Sequence, residues 1–242
     1  RRYLDRDLNR LWTSEAVAEL LNRDPALDCA EESEQRALLE IFEQERARAA
    51  EGLYLLDLHT TSGGGPPFCL MSDTLANRRL ALSLRVPVML GLEESIDGTL
   101  LEYATRRGDV AVVVEGGQHV ASESVENHVA VIWHTLVAVG ALDASEADGL
   151  ERPAEQPRRA SSGMPRFHEV RYRHPVHEGD DFRMLPGFAG LQTVTRGELL
   201  AHDRTGEIHS LESGRLLMPL YQAQGSDGFF LVRPVSGVWL SL

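Results

Sequence analysis

The stretch LYLLDLHTTSGGGPP, residues 53–67, decides how this chain reads. Leu53–Leu58 is an apolar run of strand length, and its flanks suggest a strand buried on both faces. The run ends in Asp57-Leu58-His59 and passes into a loop of Thr, Ser, Gly and Pro. Upstream, residues 33–50 place Leu38, Leu39, Phe42 and Ala49 on one stripe among Glu and Arg, which predicts an amphipathic helix. Downstream, Phe68–Met71, Val86–Leu90 and Val110–Val114 read as further strands. Asp73 can cap a helix over 74–84. Ser122 or Ser124 can start another that runs through Ala138 and stops at Gly140. Strands alternating with helices predict an α/β layer around a largely parallel sheet.

The pattern then changes. Residues 141–165 lose all periodicity and hold Pro, Ser, Glu and Asp, as a linker would. Short β segments separated by Gly follow at 166–173, 191–195, 198–202, 207–211, 215–221 and 229–240. The expected organisation is an α/β domain over 1–140, a linker over 141–165 and a small all-β domain over 166–242. The chain opens directly on a dense polar segment, Arg1–Arg10, without a start methionine or a lead-in strand, which reads as an incomplete domain.

Composition bounds the function. The 242 residues carry a formal charge of −13, which argues against a general nucleic-acid or anionic-membrane binder, since both need a basic face. Two cysteines, Cys29 and Cys69, make neither a disulfide framework nor a cysteine-rich zinc site. No apolar run reaches the ~20 residues that span a bilayer, and the first ten residues lack the apolar core of a signal peptide. A cytoplasmic location is the expectation. Every basic residue is Arg, which excludes a Lys Schiff base and a P-loop Lys. There is no Gly-x-Ser-x-Gly elbow, Rossmann glycine pattern or Walker sequence.

Four places could carry chemistry. His59 stands at the carboxyl end of a buried strand, where ligands of open α/β sheets bind. A glycine-rich loop follows it and could let a substrate approach the backbone. That position suits a metal ligand, with Asp57 orienting the ring from behind. It equally suits a strand-end histidine hydrogen-bonded to the loop. Glu115 ends AVVVEGGQH at the mouth of another buried strand, where desolvation should raise its pKa toward the range of a general base. A solvated strand-end carboxylate is the plainer alternative. Asn9 and Arg10, with Arg2 upstream, form a fork for a carboxylate, or a surface helix cap with ion pairs. Arg107, just before the Glu115 strand, reads as a similar carboxylate ligand. His119 could approach the same site, whereas His128 and His134 read as core or surface residues of a helix. His174-x-x-His177-Glu178 looks metal-like but lacks a third partner at a recognisable spacing. Cys69 reads as a small buried hydrophobe.

These pieces together resemble a known family. Arg2-Tyr3-x-x-x-Asp7-Leu8-Asn9-Arg10, Asp57-Leu58-His59-x-Thr61, Tyr103-Ala104-Thr105-x-Arg107 and Glu115-x-Gly117-Gln118 occur in the order and context of the aspartoacylase/succinylglutamate desuccinylase family. The resemblance covers residues 2–140, and more loosely the β segments beyond 165. It implies a zinc-carboxypeptidase-like α/β fold with a C-terminal β domain, and a zinc-dependent hydrolase that cleaves the amide of a small anionic N-acyl amino acid. It implies that His59 is a zinc ligand and Glu115 the general base that activates water and then protonates the leaving amine. Arg2 would stabilise the oxyanion, and Asn9, Arg10 and Arg107 would hold substrate carboxylates, with Asp7 supporting the fork. A homodimer is implied by the resemblance alone.

Two departures accompany the resemblance. The family's other zinc ligands come from a His-x-x-Glu motif upstream of the Arg-Tyr segment, and this sequence shows no such motif there. The chain therefore reads as a fragment or a degenerate remnant that keeps only the carboxylate-binding site. A zinc carboxypeptidase acting on peptides is a further alternative. Late in the chain, Phe229-Phe230 stands where the family often has a Tyr.

Overall fold

The structure is a computed structural model that describes residues 3–93, 96–143, 145 and 159–236. Arg2, most of the expected linker and the end of the last expected β segment lie outside the described residues.

The predicted strand forms as β1 (Tyr54–Thr61) and runs past His59. It lies at the end of the sheet with Tyr54 and Leu58 exposed, so it is an edge strand and not one buried on both faces. The other strands of this half are β2 (Phe68–Leu70), β3 (Val88–Leu90) and β4 (Val110–Gln118). Beyond the linker come β5 (Phe167–Pro175), β6 (Arg183–Met184), β7 (Thr193–Val194), β8 (Leu199–Asp203), β9 (Gly206–His209), β10 (Gly214–Leu217) and β11 (Asp227–Pro234). Eight of them make one sheet in the order β1-β4-β2-β3-β5-β11-β10-β7, and β6-β8-β9 make a second. The sheet is mixed. β1·β4, β2·β3 and β3·β5 pair in parallel, while β2·β4 and every pair from β5 to β7 are antiparallel. The parallel expectation, made for the first half, holds there at β1·β4 and β2·β3 and fails at β2·β4.

The expected boundary near 141–165 is not a boundary between sheets. β5 pairs with β3 through Val88↔Phe167 and Met89↔His168, so the main sheet continues into the C-terminal part. Only the three-stranded sheet is separate, and it packs on Phe229, Leu231 and Leu216 from the outer face of the antiparallel half.

Helices cover both faces of the parallel half. α1 (Ser14–Asn22) was not among the predicted helices; Thr13 caps it by accepting from Ala16 N at 3.1 Å. α2 (Ala30–Arg48) starts three residues before the predicted helix because Glu32 reaches back to Cys29 N at 2.9 Å. α3 (Leu75–Ser83) is capped by Thr74, while Asp73 pairs with Arg78 instead. α4 (Leu100–Arg106) and α5 (Ser122–Ala138) flank β4 in sequence. Alternation along β4 sorts the core: Ala111 and Val113 face α1, α2 and α4, while Val112 and Val114 face α3 and α5. No helix among the described residues is long and apolar enough to cross a membrane.

Candidate active site

β1 and β4 run side by side in parallel, so their carboxyl ends arrive at one edge of the sheet. His59 and Glu115 are direct register partners there, and the two-residue period puts Asp57 on the same side as His59. His59 Nε2 lies 3.1 Å from Asp57 Oδ2, and its Nδ1 lies 3.8 Å from Glu115 Oε1. Glu115 is buried, at 3% exposure, with Phe68 as its neighbour on β2. A carboxylate behind a histidine ring fixes its tautomer and orientation, as the sequence suggested for Asp57.

A cavity of about 1040 Å³ opens over this edge, and His59, Glu115, Asn9 and Arg10 all line it. The chain turns at Leu8–Arg10 because Asp7 accepts from Asn9 N at 3.1 Å. Asn9 Oδ1 in turn accepts from Leu100 N at 3.2 Å, tying this turn to the start of α4. Arg10 Nη2 lies 3.4 Å from Asp227 Oδ2, and Arg173 Nε donates to Asp227 Oδ1 at 2.5 Å. Sequence reading missed Asp227; its only local signal is a lone acid between Gly225 and Gly228, more than two hundred residues from Arg10.

Three other features correct or refine the expectations. Arg107 does not join the cavity. It follows the C-terminal end of α4, where it donates to Glu43 Oε2 at 2.7 Å and lies over the rings of Tyr103 and Phe42. The short helix separates it from Asn9: Leu100 at one end meets the fork, and Arg107 at the other faces away from it. Two glycines of the glycine-rich loop, Gly63 and Gly65, pack against the C-terminal half of the sheet. A Cβ on Gly63 would lie 2.7 Å from Pro219, and one on Gly65 would lie 2.9 Å from the backbone of Gly190. His128, read as a core or surface residue, supports the site from behind: its Nε2 lies 2.8 Å from the His59 carbonyl oxygen. Gly116 makes room for it, since a Cβ there would come within 2.4 Å of that nitrogen.

The remaining candidates divide simply. His119 does line the cavity, bridging Thr60 Oγ1 at 2.8 Å and Gln222 Oε1 at 3.1 Å. His174 stacks on Phe229, with ring centroids 5.0 Å apart. Phe229 and Phe230 are both core residues. Cys69 is wholly buried, which pushes its thiol up to about 12 and leaves it inert. Arg2 lies outside the described residues.

No family profile and no curated protein matches the sequence. Solved structures do match. Succinylglutamate desuccinylase from Vibrio cholerae superposes with a TM-score of 0.61 at 18% identity, over 97% of this chain and 66% of that one. The succinylglutamate desuccinylase/aspartoacylase from Rhodobacter sphaeroides gives 0.64 at 16%, over 97% and 69%. The chain has their fold. Murine aminoacylase 3 is similar too, with a TM-score of 0.59 at 15% identity over 96% of this chain and 78% of that one. The chain thus spans about two thirds of the length of the desuccinylase structures it matches.

Within this desuccinylase/aspartoacylase fold, the expected zinc can be tested against the donors present. His59 is oriented as a ligand would be, with Asp57 behind it. A catalytic zinc needs three protein ligands and a water. Among the described residues, the one group of three converging donors is Asp5, Cys29 and Glu31, which does not include His59. The described residues therefore offer one ligand and not a complete zinc site.

Proposed function

We propose that this protein hydrolyses the amide bond of an N-acyl amino acid. The observation that carries the reading is the placement of His59 and Glu115 in register at one sheet edge, inside the cavity that Asn9 and Arg10 also line. The likeness to desuccinylase and aminoacylase structures supports it.

The chemistry follows from the chain's own groups. Asn9 and Arg10 orient the substrate by its carboxylate, Arg10 through paired N–H donors. That binding holds the acyl carbonyl over the His59–Glu115 edge, which gains rate by proximity. Glu115 takes a proton from a water as the water oxygen bonds to the carbonyl carbon. The C–N bond then breaks, and Glu115 gives the proton to the leaving nitrogen. The products are a carboxylic acid and a free amino acid. Asp57 and His128 keep the His59 ring and backbone in place. Arg107 has no part in this reading.

The test is release of free amino acid from a panel of N-acetyl and N-succinyl amino acids, by wild type and by Glu115→Gln. Release that the variant abolishes supports the reading. No release from any member, with zinc supplied, overturns it and leaves a carboxylate-binding protein without catalysis.

A further inference from the structure

Asp227 begins β11, and two arginines from distant parts of the chain share its carboxylate. Arg173 donates through Nε to Oδ1 at 2.5 Å. Its strand, β5, pairs with β11, and that pairing brings Arg173 alongside Asp227. Arg10 Nη2 faces Oδ2 at 3.4 Å, and Ser226 Oγ donates to the same oxygen at 3.3 Å. Arg10 Nη1 also donates to the Asn9 carbonyl at 2.8 Å, so the guanidinium is held at two corners. Side-chain exposures of 27% for Arg10 and 15% for Asp227 mean that solvent screens this pair only weakly. Arg10 and Asp227 line the cavity, whereas Arg173 does not.

The close contact of Asp227 is to Arg173, and its contact to Arg10 is longer. Asp227 is therefore anchored on the sheet and guides Arg10 without gripping it. An arginine side chain is rich in rotamers, and ordering one as a ligand arrives weakens binding. A guanidinium already held in place escapes that cost. We infer that Asp227, anchored by Arg173, is a positioning residue that sets the Arg10 guanidinium for the substrate's carboxylate. The inference rests on the proposed hydrolase function, in which Arg10 meets that carboxylate. Asn in place of Asp227 would keep the shape but accept on one side only, so one guanidinium would face an N–H donor.

The closing experiment measures KM and kcat for the best substrate of the N-acetyl and N-succinyl amino acid panel. Calorimetry gives the Kd of the panel's free L-amino acids, which keep the carboxylate. Asp227→Asn should raise KM and Kd by about tenfold and leave kcat within about twofold. Arg173→Gln should raise KM by about threefold with kcat kept, although Arg173 stands outside the cavity wall. A KM that Asp227→Asn leaves within about twofold, or lowers, overturns the inference while the hydrolase reading stands. So does a kcat that falls as far as KM rises, because that pattern reports general damage to the site. If Asp227→Asn does not fold, Arg173→Gln decides by the same criteria. If wild type binds the amino acids but hydrolyses no panel member, the hydrolase reading falls and the Kd series decides this inference. If it neither binds nor hydrolyses any of them, both fall.

Discussion

The two halves of the main sheet build their shares of the cavity in different ways. In the parallel half, β1 and β4 end together, and adjacency in the sheet alone sets His59 beside Glu115. In the antiparallel half, neighbouring strands end at opposite edges, so residues reach the cavity from the loop before β11. Gln222 and Gln224 come from that loop, and Asp227 begins the strand. Long-range bonds hold the loop: Ser62 Oγ donates to the Pro219 carbonyl at 3.2 Å and accepts from Tyr221 N at 3.0 Å. The difference shows that parallel register makes a convergent pair from short-range pattern, whereas a loop contribution depends on packing between distant parts of the chain.

The comparison can be broken most directly at Glu115. Glu115→Gln should lower amidase turnover by about 10³-fold, the range expected of a lost general base, with little change in thermal stability. Initial-rate kinetics alongside a melting curve would check both parts. If turnover survives, the convergent pair of the parallel half is not the reacting pair.

On the other side of the comparison lies His168 of β5, where the two halves join. It is fully buried, and neither ring nitrogen has a hydrogen-bond partner. Burial, and then the charge of Arg215, push its pKa down to about 4. The unfolded chain, with an ordinary histidine near 6.5, binds more protons than the folded one between those values. Stability should therefore fall as pH drops from about 6.5 to about 4, by on the order of 3 kcal/mol. Urea titrations across that range would show it, and His168→Met should flatten that part of the profile. An unchanged profile would mean that this histidine is not the group responsible.

A smaller effect is expected behind the parallel pair. Gly116→Ala would press on His128 and disturb its contact with the His59 carbonyl, costing about 1–3 kcal/mol by overpacking. Chemical denaturation reads the stability cost, and kinetics reads any loss of His59 alignment. A variant as stable and as active as wild type would remove His128 from the supporting role.

Arg107→Ala should do least. Its contacts are a part-exposed ion pair with Glu43 and a position over two aromatic rings, together worth about 1 kcal/mol. Activity should stay within about twofold if Arg107 stands outside the cavity. A large rise in KM would restore it as a carboxylate ligand.

Much of this was legible in the sequence. The strands around His59 and Glu115 announced themselves as apolar runs ending in polar groups at glycine-rich turns. The fork at Asn9-Arg10 was visible as a residue pair. Arg107 misled because it shares that chemistry; nothing in YATRR tells which end of a seven-residue helix will face the cavity. α1 carried a local signal that went unused, Thr13 as a cap and Val17, Leu20 and Leu21 at helical spacing, and only the burial of Val17 and Leu20 against α2 is a tertiary event. The continuity of the sheet was missed for a tertiary reason. β5 reads like any short β segment, and only its pairing with β3 joins it to the first half.

What the sequence determined by itself is the set of local elements and the chemical groups at their ends, because periodicity and capping act over a few residues. What only the tertiary structure decided is which of those groups share a space. Arg10 meets Asp227 across 217 residues, and His128 reaches His59 across 69. Such meetings depend on how sheet halves and helices pack, and packing sums many weak contacts that no short stretch of sequence contains.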